Sequence, residues 1–285
     1  MAFPAAHPAA VLPLRRFAPR HLDFAALVIG ALSPDFAYTL DQVNDLWRTV
    51  QWIGGTAAQD WSCVREHWDW DDVSHVFAGS FVFCLPAGLV ALAVVRVLQG
   101  AFASLLPDPH RTALGAVGNS PAVPLRVAAL SVLLGAWTHL AWDNFTNGDR
   151  WLAQHWDWLR QPLFGPDHRG PSVHAALWIA SSLAGLAWLV SAYARYVWAR
   201  GLSFRSWEPR DRRRRILWAG LLFLPAAIAL VTVRSKYPSA GNPAGWTEYL
   251  HQYAGQYLAL FTLSLSAVAA GTRVAGWNWD SPPRR

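Results

Sequence analysis

Residues 126–143 read RVAALSVLLGAWTHLAWD. One arginine opens the stretch, and one histidine and one aspartate stand near its end; what lies between is apolar or small. At 1.5 Å per residue a helix over it is about 27 Å long, close to the thickness of a bilayer's hydrocarbon core. A membrane-crossing helix here places His139 and Asp143 one turn apart on one face, near one end of the span.

Stretches of the same kind lie at Val73–Leu98, Val173–Val197 and Ile216–Val233, and at Tyr249–Arg273, which turns apolar from Leu258 onward. Two earlier ones are weaker. Ala5–Leu14 is short and interrupted by Pro8 and Pro13, and Leu22–Leu40 carries Pro34-Asp35 near its end. They predict a helical hairpin turned at Arg15, Arg16, Arg20 and His21, with the first arm inserted only partway. The expected fold is all-α, a polytopic transmembrane bundle of about six full spans plus a partial N-terminal helix. It forms one membrane-embedded domain over 1–275, with the hairpin in 1–40, spanning helices in 73–143 and 173–273, and a tail at 276–285.

Composition agrees. Of 285 residues, 53% are hydrophobic and only 15% charged, against about 25% charged in soluble domains. A disordered chain, a coiled coil and a nucleic-acid-binding domain are thereby excluded. The 18 tryptophans suit residues held at the membrane–water boundary. His67-Trp68-Asp69-Trp70 recurs as His155-Trp156-Asp157-Trp158, which reads as an aromatic belt or as a contact to a metal or headgroup. Cys63 and Cys84 form no disulfide framework, because Cys84 falls inside an apolar run. No cleavable signal peptide is expected, since the first arginines follow the first apolar segment.

The net charge is +6 and Lys236 is the sole lysine. Arg15, Arg16 and Arg20, then Arg96, Arg111 and Arg126, then Arg195 to Arg215, and finally Arg273, Arg284 and Arg285 fall on one side if the helices alternate. That side is expected to be the cytoplasm of a bacterial inner-membrane protein, with the N-terminus outside and the C-terminus inside. Segments 41–72, 144–172 and 234–248 face the other way and carry Asp41, Asp45, Asp60, Glu66, Asp69, Asp71, Asp72, Asp149, Asp157 and Asp167. Arg210 and Arg212–Arg215 set topology or hold anionic lipid headgroups. Gly30, Gly135 and Gly185 fit close helix packing.

His139 and Asp143 suit a divalent metal, and equally an ordinary hydrogen bond. The same topology brings His75, Asp35 and His7 to the same membrane face. Ionisable groups at membrane depth are costly unless paired or functional, so five in one layer read as a site or as a polar network capping the bundle.

The runs Phe3 to Pro13, Leu27 to Phe36 and Ser74-His75, followed by Thr138-His139-Leu140-Ala141-Trp142-Asp143-Asn144-Phe145-Thr146, resemble an uncharacterised bacterial family of integral membrane proteins, domain-of-unknown-function family 4184. The resemblance covers most of residues 1–200. The pattern His…Pro-Asp…Ser-His…His-x-x-x-Asp is also similar, more distantly, to membrane-bound metal-dependent hydrolases and to zinc-dependent phospholipase C. That likeness implies a hydrolytic metal centre, with zinc the expected ion and His7, Asp35, His75, His139 and Asp143 as ligands. Two departures stand out. Phe145-Thr146-Asn147 replaces the family's Phe-Thr-His, and Trp178-Ile179 replaces a Gln-His pair. His174, one turn upstream, is either a substitute or an ordinary helix-end histidine.

The expected function is a metal-dependent hydrolase acting at the non-cytoplasmic membrane face on a phosphoester or lipid headgroup, with Asp143 or Asp71 as base or supporting carboxylate. Two ions, or one ion with Asp35 or Asp143 as base, leave room for water. The alternative is a non-enzymatic membrane protein whose His/Asp layer is structural or senses metal or protons. A third is a family member that has lost activity.

Overall fold

In the computed structural model of the chain, residues 3–17, 21–40, 70–118, 123–164, 171–202, 212–236 and 243–276 are described. Arg20, Cys63, residues 41–69 with the first copy of the His-Trp-Asp-Trp echo, Arg210 and the tail from 277 lie outside them, as do the side chains of Trp70 and Asp71. All named elements among the described residues are helical, and extended pairing is limited to one isolated bridge, Pro162–Ser172.

Among the described residues, five helices are long and apolar enough to cross a membrane: Phe77–Leu105, Leu125–His155, Val173–Ala199, Arg212–Val233 and Gln252–Val274. These match the four clear spans expected and the fifth, expected at Tyr249–Arg273. The sixth, expected at Leu22–Leu40, is a shorter apolar helix over Phe24–Leu40. Large apolar side chains in mid-span face outward, among them Val90, Leu183, Val190, Phe223, Leu224 and Val231. A soluble monomer does not expose apolar surface on this scale, and a lipid-facing one does. The protein is an all-α polytopic bundle.

The chain forms two compact units. The first comprises Met1–Ala37, Asp69–Val94 and Pro121–Arg200. It opens with a 3-10 helix, Pro4–Val11, that runs into α1, Leu12–Phe17. Pro8 within it lacks an N–H for an α-helical ladder, which favours the tighter turn. Helix α2, Phe24–Leu32, starts where Asp23 accepts from the Ala26 N–H at 2.7 Å, and ends in a 3-10 turn, Ser33–Asp35. The Asp23 N–H in turn donates to Ser131 Oγ at 2.9 Å.

The expected Val73–Leu98 helix is not continuous. Helix α3, Trp70–Ser74, stops at His75; α4, Phe77–Gly79, follows; a π-helical turn covers Ser80–Cys84; and α5, Leu85–Leu105, continues. Gly79 permits the break, because a Cβ there would collide with the Val73 carbonyl. The hydroxyl of Ser80 donates to Phe77 O and accepts from Trp137 Nε1, occupying groups that a regular helix would pair internally. Beyond α6, His110–Gly118, the unit contains the long helix α7, Leu125–Thr146; the short helices α8, Trp151–His155, and α9, Asp157–Arg160; and α10, Val173–Ala199.

Helices α2 and α7 meet through glycine. A Cβ on Gly30 would strike the Val132 carbonyl, and one on Gly135 the Leu27 carbonyl. Around this crossing Ala26, Ile29, Leu92, Ala128 and Val132 form one buried cluster, and Val11, Leu27 and Ala31 another. Gly185 on α10 lets the backbone of Ala6 approach, with its Cβ position 3.2 Å from Ala6 O. The three glycines singled out from the sequence all sit at close approaches.

The second unit comprises Tyr38–Trp68, Val95–Ser120 and Gly201–Arg285. Helices α11, Arg212–Lys236, and α12, Pro243–Val274, pair along their length. Leu98, Ala101, Leu105 and Ala269 are buried together. Of the arginines in 212–215, Arg214 is buried and donates to Ser104 O at 3.1 Å, while Trp218 Nε1 donates to Leu105 O at 2.8 Å. These donors satisfy carbonyls that the end of α5 leaves open. Arg212, Arg213 and Arg215 are exposed.

Candidate metal centre

Within the first unit, five ionisable side chains converge: His7, Asp35, His75, His139 and Asp143. Each is at most 5% exposed. His139 and Asp143 lie one turn apart on α7, as the sequence spacing requires. The crossing of α2 and α7 sets the orientation of His139, whose Nδ1 lies 2.8 Å from Ala31 O. A carbonyl only accepts, so Nδ1 carries the proton and Nε2 keeps its lone pair.

His75 is fixed in the same way by a neighbour. Ser74 Oγ donates to Pro34 O at 3.0 Å, which leaves its lone pairs for His75 Nδ1, also 3.0 Å away. In the neutral ring Nε2 is again the lone-pair nitrogen. Two backbone carbonyls from the α2 end, Ala31 O and Pro34 O, thus select the tautomer of two histidines on other elements. Partners of this kind hold metal-ligating histidines in many sites. Ser74 was visible in the sequence only as a neighbour of His75; its part depends on Pro34 O, which no spacing reveals.

The lone-pair nitrogens face carboxylate oxygens. His139 Nε2 lies 3.5 Å from Asp143 Oδ2 and 3.7 Å from Asp35 Oδ1, and it makes no hydrogen bond. His75 Nε2 lies 3.7 Å from Asp143 Oδ2 and 3.8 Å from Asp35 Oδ1. Charge-assisted hydrogen bonds run at about 2.7–2.9 Å, so these are not such bonds. A tetrahedral ion with ligand bonds of about 2.1 Å has its ligand atoms about 3.4 Å apart. Four nitrogen–oxygen separations of 3.5–3.8 Å are the edges of a polyhedron slightly wider than that. Two anionic carboxylates buried together are costly without positive charge, and a dication would neutralise them. The residues fit a metal.

His7 reaches the other oxygen of Asp143, with Nε2 3.6 Å from Oδ1, and its ring stacks on that of His139 at 3.7 Å between centroids. The 3-10 helix that carries it is held by the Phe3 N–H, which donates to Ser182 Oγ at 3.0 Å, and by the Gly185 approach. Trp142 packs edge-on to His7 and donates to Ser181 Oγ at 2.9 Å. Two three-residue sets come within ligand distance: His7, His139 and Asp143; and Asp35, His75 and His139. They share His139. With Nδ1 committed to Ala31 O, its single lone pair serves one ion, so the two sets compete for it.

All five residues singled out from the sequence as ligands therefore come together. His174 does not join them; its ring stands against Gly148, in the turn after α7. Asn147 ends α7, its N–H donating to Asp143 O and its Oδ1 accepting from the Asp149 N–H, so its side chain serves the turn. Ile179 is exposed on α10. Trp156 and Trp158 of the second echo are half exposed with rings 5.5 Å apart, as in an interfacial belt.

Fold and site define a class: a polytopic helical membrane protein with a buried His/Asp cluster able to hold a metal ion. The family model described as domain of unknown function DUF4184 matches residues 1–270, and the chain belongs to that family. No curated protein and no solved structure is matched.

Proposed function

We propose that this protein binds one divalent cation, zinc by its donor set, and is a membrane-bound metal-dependent hydrolase acting on a phosphoester or lipid headgroup. The observation that carries this reading is the facing of two tautomerically fixed histidine nitrogens and two carboxylates across 3.5–3.8 Å. His75, His139 and Asp143 Oδ2 would hold the ion, with Asp35 beside it as the base, which leaves one position for water. His7 stands on Asp143 Oδ1, where it completes the coordination or holds Asp143 in place. A bound ion supplies Lewis acidity, activating water and polarising a phosphoryl oxygen. The protein residues keep the site dry, fix the ligand atoms and leave one carboxylate oxygen of Asp35 for a proton. Asp71, the other carboxylate expected to act as a base, has a side chain outside the described residues.

The burial of all five side chains favours a second reading, in which the ion is structural and no substrate reaches it. Assay of the zinc-loaded protein against phosphomonoester, phosphodiester and phospholipid substrates separates the two. Turnover that falls with His75→Ala supports hydrolysis. Full metal occupancy without turnover on any of these leaves a structural ion.

Ser74→Ala removes the link that orients His75. It is expected to weaken zinc affinity about 10- to 100-fold, read by competition with a chromogenic chelator. Unchanged affinity would mean that the Pro34–Ser74–His75 relay does not position the ligand.

We also propose the orientation read from charge, with the N-terminus outside and the C-terminus in the cytoplasm, and anionic lipids around Arg210 and Arg212–Arg215. Single cysteines replacing Asp60 and Arg213, in a background lacking Cys63 and Cys84, test it in intact cells. An impermeant thiol reagent should label the first and not the second; the reverse pattern inverts the topology.

A further inference from the structure

We infer that the segment from Trp151 to Phe164 is a membrane-surface anchor, lying in the headgroup–acyl boundary of the leaflet where α7 leaves the membrane and α10 enters it. The segment joins two helices that are each long and apolar enough to cross a bilayer, so its height is set from both ends. On the α7 side the Leu152 N–H donates to Asn144 Oδ1 at 3.2 Å. On the α10 side the Leu163 N–H donates to Pro171 O and the Val173 N–H to Gln161 O. Between these ties Ala153 and Leu159 are fully buried in one cluster with Val173, the first residue of α10. One face of the segment is thus packed on the first unit.

The other face is apolar and open. Trp151 is 66% exposed and Phe164 64%, and Trp156, Trp158 and Leu163 are about half exposed. The rings of Trp156 and Trp158 lie 5.5 Å apart. Tryptophan gathered at the ends of spanning helices marks the membrane–water boundary. The exposed apolar surface of the spans also runs up to the segment from both flanks. Phe145 at the end of α7 is exposed, as are Leu177 and Ile179 in the first turns of α10. The patch continues a lipid-facing surface, and the occupant it fits is lipid.

Charge says how the anchor holds. The charged side chains of 151–164 are Asp157 and Arg160, and they pair with each other. Attachment therefore rests on apolar partition and on tryptophan's preference for the boundary, not on attraction to anionic headgroups. Interfacial aromatic anchors set the tilt and position of the helices they adjoin. At 1.5 Å per residue, Asp143 and His139 lie about 5 and 10 Å inside the end of α7 at Thr146. The anchor thus holds the His/Asp layer just beneath the boundary, whether or not an ion is bound there.

The test uses the full chain, lacking Cys63 and Cys84, in phosphatidylcholine vesicles. Trp156→Cys, Trp158→Cys, Phe164→Cys and Asp157→Cys each carry one nitroxide; all four positions are exposed, so the label displaces no packed side chain. Relaxation by oxygen, which concentrates in lipid, is compared with relaxation by a water-soluble nickel chelate. Labels at 156, 158 and 164 should favour oxygen severalfold more than the label at 157, and phosphatidylglycerol in the vesicles should leave the ratios unchanged. Equal access of the nickel chelate to all four positions overturns the inference and leaves a water-facing patch for a soluble partner. Spectral broadening that vanishes when labelled chains are diluted with unlabelled ones overturns it in favour of a second copy. A preference for oxygen that arises only with phosphatidylglycerol overturns the charge-independent attachment.

Discussion

His139→Ala protein should carry no divalent cation, where wild type purified in detergent carries one per chain. The expectation follows from three separate contacts of one side chain. Its Nε2 faces both Asp143 Oδ2 and Asp35 Oδ1, its Nδ1 bonds Ala31 O, and its ring stacks on His7. Removing it deletes the ligand common to both possible three-residue sets. Two of the five histidine–carboxylate approaches described above would then be gone, one at Asp35 and one at Asp143. An ion present at a thousandfold over its dissociation constant stabilises the folded chain by about 4 kcal/mol, so chelator should lower the melting temperature of wild type. It should leave that of His139→Ala unchanged, because the variant has no ion to lose. Two results would sink the metal centre: folded wild type without metal after incubation with zinc or manganese, or a melting temperature indifferent to chelator in both proteins. The layer would then be a polar network held by protons.

Much of this site was readable before any coordinates. Apolar run length is a one-dimensional property, so the five long helices followed from it directly. The His139–Asp143 pairing followed from helical spacing alone. Placing His7, Asp35 and His75 at the same depth needed only the alternation of helices across a bilayer. What the sequence withheld was local and relational. The break at His75 depends on Gly79 meeting the Val73 carbonyl and on Ser80 capping Phe77 O and Trp137; no apolar pattern signals a π-helical turn. Pro8 marked an interruption in the first arm, but the 3-10 geometry of Pro4–Val11 was not foreseen, and its seating depends on Ser182 and Gly185, far away in the chain. The tautomers of His75 and His139 are chosen by carbonyls of Pro34 and Ala31, groups that every residue possesses and that only the fold aims.

Gly135→Leu should both unfold the first unit more readily and empty the metal centre, although residue 135 touches no ligand. The added Cβ meets the Leu27 carbonyl, a backbone atom that cannot rotate away. Relief requires α2 and α7 to separate. One turn further along each helix lies the Ala31 O to His139 Nδ1 bond, so separation at 135 and 27 is transmitted to 139 and 31. Overpacking alone costs about 1–3 kcal/mol; losing a buried hydrogen bond and the ion's contribution adds to it. The expected result is a clear fall in melting temperature together with zinc content well below one per chain. Gly100→Ala gives the contrast. Gly100 lies within α5 with nothing within 4 Å of its Cβ position, and replacing a helix-interior glycine there gains about 0.5–1 kcal/mol. Glycine to a larger residue thus has opposite signs at the two positions, because one glycine is needed for a helix crossing and the other is not. If Gly135→Leu kept full zinc and wild-type stability, the α2–α7 contact would not be what aims His139. The link from glycine spacing to ligand orientation would then fail at its first step.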